Sequence, residues 1–211
     1  MCWSATADLT AGTVITAVGL VCVAGAVRAR RPRDLPVATL PLLLGVHQLV
    51  EAAVWASGGG CSPAATAWAV IALPVLPVWV AFGVLLAAAP EVRRRLWGPA
   101  AAGLATAGVL SYCLATRPVT AEIRGHALGY GVNVPWMPLA LTGYLFATLG
   151  ALLLAGDRWL RLLGVVLAAG ALACSALWRL EFASTWCAFA AVASVLVLGW
   201  VRRRRPPPSV T

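Results

Sequence analysis

The chain has 211 residues, 61% of them hydrophobic and 11% charged, with a mean hydropathy of +0.88. That composition excludes a soluble globular domain, and the apolar segments leave no length for a separate soluble one. The formal net charge of +9 is carried by arginine alone, which excludes lysine Schiff-base chemistry; its clustering beside apolar runs excludes nucleic-acid binding.

A membrane span needs roughly 20 mostly apolar residues. Seven such segments are predicted, at 12–27, 36–56, 63–89, 97–116, 136–155, 161–179 and 182–200. The opening MCWSATADLT carries Asp8 and no basic run, unlike a secretory signal, so the first segment reads as a retained helix. It ends at Arg28, Arg30, Arg31 and Arg33, with Pro32 and Pro36 marking the turn. The second ends at Gly58–Gly60. The third opens at Pro63, and its Pro74 and Pro77 predict a bend because each removes a helix donor. Glu91 and Arg93–Arg95 are expected to form the next connection. Residues 117–135 form the longest connection, with room for an amphipathic element lying on the membrane. Asp157, Arg158 and Arg161 separate the fifth and sixth segments, and Arg179 and Glu181 the last two. The expected architecture is an all-α, polytopic bundle. It comprises one transmembrane domain over 1–200 and a basic, proline-rich cytoplasmic tail over 201–211.

The arginines set the expected orientation. Arg28, Arg30, Arg31, Arg33, Arg93–Arg95, Arg158, Arg161 and Arg202–Arg205 fall on one side, leaving Arg117, Arg124 and Arg179 on the other. Positive charge marks the cytoplasmic side, so the chain reads as N-out/C-in in the cytoplasmic membrane of a bacterium. Membrane lipids are the implied partners. Small-residue stripes at Gly12/Thr16/Gly19 and Gly164/Ala168/Ala171 allow close helix contact, within the chain or in an oligomer.

The sharpest local feature is His47, Gln48, Glu51 and Trp55, in which positions 47, 51 and 55 share one helical face. Ionisable groups at membrane depth are costly and therefore point to function, although a buried pair that only fixes helix packing is the plain alternative. Protonated, Glu51 supplies a proton to an apolar substrate, with His47 orienting it or relaying protons. Trp68, Trp79, Tyr112, Tyr144 and Trp186 are candidates to line the same pocket, since aromatic faces stabilise a cation. Eleven residues separate Trp68 from Trp79, which puts them on nearly one face of a regular helix. A metal reading uses Cys2, His47, Glu51, His126 and Cys187, all with donors suited to zinc or another transition metal. There is no paired CxxC or HExxH, and no cofactor is expected in the first reading. A Cys2–Cys187 disulfide is a third use of those two cysteines. Most of the ten tryptophans sit near predicted interfaces, as an aromatic belt does.

The opening MCWSA, the LPLLLGVHQLVEAAVW segment and the STWCAFAAVASVL segment resemble an uncharacterised bacterial family of multi-pass membrane proteins. That resemblance groups Cys2, His47, Gln48, Glu51, Trp55, Trp186 and Cys187 without assigning their chemistry. The chain also resembles, more weakly, the small seven-helix membrane cyclases of terpenoid and meroterpenoid synthesis, which use acidic residues to start cyclisation of a polyprenyl group. That likeness implies Glu51 as the acid and Glu181 as a second one, acting on a lipophilic, isoprenoid-like substrate. The alternatives from other classes are a proton- or cation-coupled transporter or sensor, and a metal-dependent lipid hydrolase.

Overall fold

A computed structural model describes residues 4–177 and 189–203. Within them the chain forms long helical rods and one small hairpin. The first rod is α1 (Ala5–Arg28); the second joins a short 3-10 turn, α2 (Leu35–Ala38) and α3 (Leu40–Ala56). The third joins α4 (Pro63–Val70) to α5 (Leu76–Ala87) through a π-helical turn at Ile71–Val75. Next come α6 (Pro90–Thr116), and then α7 (Met137–Leu145) with α8 (Ala151–Leu154), linked by a second π turn at Phe146–Gly150. The last rods are α9 (Arg158–Leu177) and α10 (Phe189–Arg203). Among the described residues, five helices are long and apolar enough to cross a membrane: Ala5–Arg28, Pro32–Ala56, Pro63–Ala87, Pro90–Thr116 and Met137–Leu154. Their outward side chains are apolar (Val14, Leu20, Leu104, Leu139), whereas Asp8, His47, Gln48 and Glu51 are buried. This inverts the polarity of a soluble bundle and marks a membrane protein.

Two helices start seven residues earlier than the hydropathy predicted. α1 begins at Ala5 because the Ser4 hydroxyl accepts from the Ala7 amide, capping the helix well before the apolar run. α6 begins at Pro90, so Arg93–Arg95 lie on its first turns rather than in a connection. Proline at the first position and Glu91 in the first turn both favour a helix start there.

The expectation of an all-α chain is corrected in the long connection. The connection, which has room for a membrane-surface amphipathic element, contains an antiparallel hairpin, β1 (Thr120–Arg124) and β2 (Ala127–Gly131). Gly125, at φ 62°, opens its two-residue turn, a position where only glycine is unstrained in a type II′ hairpin. The hairpin is tied to the α3–α4 loop by a reciprocal pair of backbone bonds between Gly60 and Ala121.

The arginine clusters gather at the opposite end. Arg31 Nη2 donates to the Val201 carbonyl at 2.9 Å, and Arg31 Nη1 lies 3.4 Å from Asp34 Oδ2. The last carbonyls of a helix have no partner within it, so this contact satisfies one at the end of α10 while closing the α1–α2 turn over it. Arg31→Ala is expected to lower stability by about 1–3 kcal/mol. An unchanged unfolding midpoint in detergent micelles would show that water replaces the guanidinium at no cost.

The small-residue stripe of α1 is spent inside the chain. A Cβ at Gly12 would stand 2.8 Å from Leu49 Cδ2, and one at Gly19 would stand 2.6 Å from the Leu42 backbone nitrogen. α1 and α3 therefore pack backbone to backbone, as small-residue faces allow. Gly164 of the other stripe is likewise covered, by Leu152 and Leu153 of α8.

Candidate functional site

The α1–α3 contact places the site. Because the helices run antiparallel and touch along Gly12, Gly19 and Gly45, the start of α1 lies beside the end of α3. Glu51 and Asp8 are both at 0% exposure, Gln48 is at 1% and His47 at 7%. Trp55 Nε1 donates to Asp8 Oδ2 at 2.9 Å. Glu51 lies one turn before Trp55 on the same helix, about 6 Å away along its axis. Asp8 lies in the first turn of α1, where the unpaired amides of the helix start favour negative charge.

The sequence reading missed Asp8, which entered there only as an argument against a secretory signal. A signal was present: Asp8, Gly12, Thr16 and Gly19 recur at helical spacing, so Asp8 continues the stripe that faces α3.

Trp68 of α4 forms the second wall. It is 4% exposed, and its ring centroid lies 4.9 Å from that of His47, with the planes tilted by 37°. Tyr130 of β2 stacks on Trp68 at 3.5 Å with an interplanar angle of 5°. Three aromatic rings thus run from the hairpin inward to α3. Tyr130 is a second residue that sequence reading passed over, because nothing local in Leu-Gly-Tyr-Gly separates a stacked ring from an interfacial one.

Trp68 and Trp79 do not share a face. In a regular helix eleven residues return the chain to within about 20° of its starting direction. The π turn at Ile71–Val75 absorbs one extra residue, which shifts later positions by roughly 100° relative to that count. Trp79 is accordingly 39% exposed, and its indole donates to the Pro36 carbonyl at 2.9 Å. Tyr144 does reach the interior. In the π turn the Leu76 amide bonds Ile71, so the next donor along would belong to Pro77, which has none. The Tyr144 hydroxyl fills that role, donating to the Ala72 carbonyl at 2.8 Å. Tyr112 is 67% exposed and faces away from the bundle, a correction to its place in the pocket. The cavity of about 280 Å³ bounded by Val84, Val92, Ala155 and Leu160 lies at the arginine-rich end, apart from these residues.

Among the described residues, no three of the His, Cys, Asp and Glu side chains group to hold a metal. His126 sits exposed on the hairpin turn, while His47 and Glu51 are buried. Cys22, Cys113 and Cys174 are buried free thiols, and Cys61 is exposed. Cys2, Glu181, Trp186 and Cys187 lie outside the described residues, and with them the Cys2–Cys187 pairing.

No curated protein and no solved structure matches the chain. A family model does match, over residues 1–211, and the chain belongs to that family, a family of unknown function designated DUF6629.

Proposed function

We propose that the buried carboxyl of Glu51 is the working group of a membrane-embedded acid catalyst that cyclises an isoprenoid-like substrate. The observation that carries this reading is Glu51 at 0% exposure, on the same helical face as His47 and Trp55, with Trp68 against the His47 ring. Protonation of an alkene needs a strong acid shielded from water, and a low-dielectric setting supplies that shield. In the proposed step Glu51 gives its proton to one alkene carbon, and the other becomes cationic. A second double bond closes on it, and loss of a proton back to the Glu51 carboxylate yields a cyclic isomer. His47 orients the carboxyl, and Trp55 and Trp68 face the cation. The proposal carries the seven-span, N-out/C-in topology, with the arginine-rich end in the bacterial cytoplasm, as positive-inside bias favours.

The test is product profiling by mass spectrometry. Purified protein in lipid nanodiscs is incubated with linear isoprenoids of increasing length. A cyclic isomer of unchanged mass is the expected product; inactivity across the panel would count against the reading. Proton- or cation-coupled transport is the second reading, favoured by the two π turns, which interrupt the regular ladder in the middle of two rods. Sealed vesicles under a proton gradient would reveal it as substrate-dependent proton flux.

A further inference from the structure

The hairpin is built into the bundle more firmly than a surface loop needs to be. Ala121, Ala127 and Leu128 are buried at 2%, 6% and 0% exposure. Ala121 and Leu128 share a cluster with Val54 of α3 and with Ala65, Trp68 and Ala69 of α4. The backbone pair between Gly60 and Ala121 helps to fix the hairpin there, as does the stack of Tyr130 on Trp68, a ring that also contacts His47. The α3–α4 loop that receives it has Gly58, Gly59 and Gly60 all at φ between 73° and 77°, a conformation strained for other residues. At Gly59 a Cβ would also stand 2.6 Å from the Ala121 carbonyl oxygen. The hairpin strands make no ladder with any other strand among the described residues, so one small unit can lift without breaking the helices beneath it.

We infer that this hairpin is the door of the buried site, with Tyr130 as its latch: when the Tyr130 ring leaves Trp68, the indole is free to swing off His47 and solutes reach the imidazole. The inference rests on residues 47–55 being the working site and adds its route of access. That route runs through the hairpin end of the bundle, not the arginine-rich end. Tyr130 is a positioning residue here: it acts on access and not on the reacting atoms.

The chain offers its own probe, because it has two histidines. His126 is exposed on the hairpin turn and His47 is buried behind Trp68. Diethylpyrocarbonate acylates accessible imidazoles, and peptide mass spectrometry reads each site separately. In the native protein His126 should react quickly and His47 slowly. Tyr130→Ala should raise the His47 rate about tenfold, equivalent to about 1.4 kcal/mol on the opening equilibrium, and leave His126 unchanged. Tyr130→Phe keeps the ring and should react like the native protein. Leu163→Ala, in the core at the arginine-rich end, controls for general loosening and should leave His47 slow. The inference is overturned if Tyr130→Ala leaves His47 slow, or if Leu163→Ala exposes His47 to the same degree. No catalytic assay enters the measurement. Failure here would leave the role of Glu51 standing, and absence of cyclisation would leave the door standing.

Discussion

Glu51→Gln should lower cyclic product by at least about a hundredfold, the scale of a lost general acid, while the protein remains folded. Glutamine keeps the approximate volume and hydrogen-bonding capacity of the acid but has no carboxyl proton to give. The prediction is sharper for the surroundings of Glu51. Glu51 is fully buried, so a change of shape would disturb the bundle, whereas Gln introduces almost none. Product yield and thermal midpoint should therefore separate. His47→Gln should slow turnover by a smaller factor, since it removes an orienting group and not the proton. Trp55→Phe loses the bond to Asp8 and should change the product distribution more than the rate. Equal product yield from folded Glu51→Gln and native protein would remove Glu51 from the mechanism. A Glu51→Gln protein that fails to fold would point instead to the plain alternative of a packing pair.

The second large effect concerns assembly. Gly19→Ala should destabilise the protein by about 1–3 kcal/mol, the range for forcing extra volume into a packed interior. The new Cβ would stand 2.6 Å from the Leu42 backbone nitrogen and 2.7 Å from Leu42 Cγ. A side-chain tip could rotate away; a backbone nitrogen moves only with its helix. α1 would have to back off from α3, and Asp8 would move with it relative to Trp55. Gly108→Ala is the matched control, since a Cβ at Gly108 meets nothing within 4 Å and alanine favours the helix. Chemical unfolding in micelles should place the two variants on opposite sides of the native midpoint. A Gly19→Ala midpoint at or above the native one would mean that the close α1–α3 contact is not required.

The rods were legible because each is a long apolar run between arginine, proline or glycine markers, and a helix satisfies all its backbone groups within the run itself. His47, Gln48 and Glu51 were legible as buried because their helix offers no cheaper place for them. What could not be read had two physical causes. The phase of α5 relative to α4 depends on a π turn, and nothing in Ile-Ala-Leu-Pro-Val distinguishes that turn from a proline bend. This is why Trp79 was misplaced on the Trp68 face. The hairpin is short and rich in glycine, so Tyr130 entered the site only through tertiary contact with Trp68. Asp8 belongs to neither case; its helical spacing was visible, and it was overlooked because its segment is polar.

The π turn between α4 and α5 also separates the number of residues in the rod from the direction in which its ends face. A uniform helix records every inserted or deleted residue as a rotation of all that follows. Here the surplus residue is held locally, with Tyr144 covering the carbonyl it leaves over. The Trp68 half keeps its hold on His47 and the hairpin, while the Trp79 half keeps its own on Pro36. Within Ile71–Val75 the chain can therefore change length by one residue and leave both ends facing as they did, a latitude that the unbroken rods α1 and α6 lack.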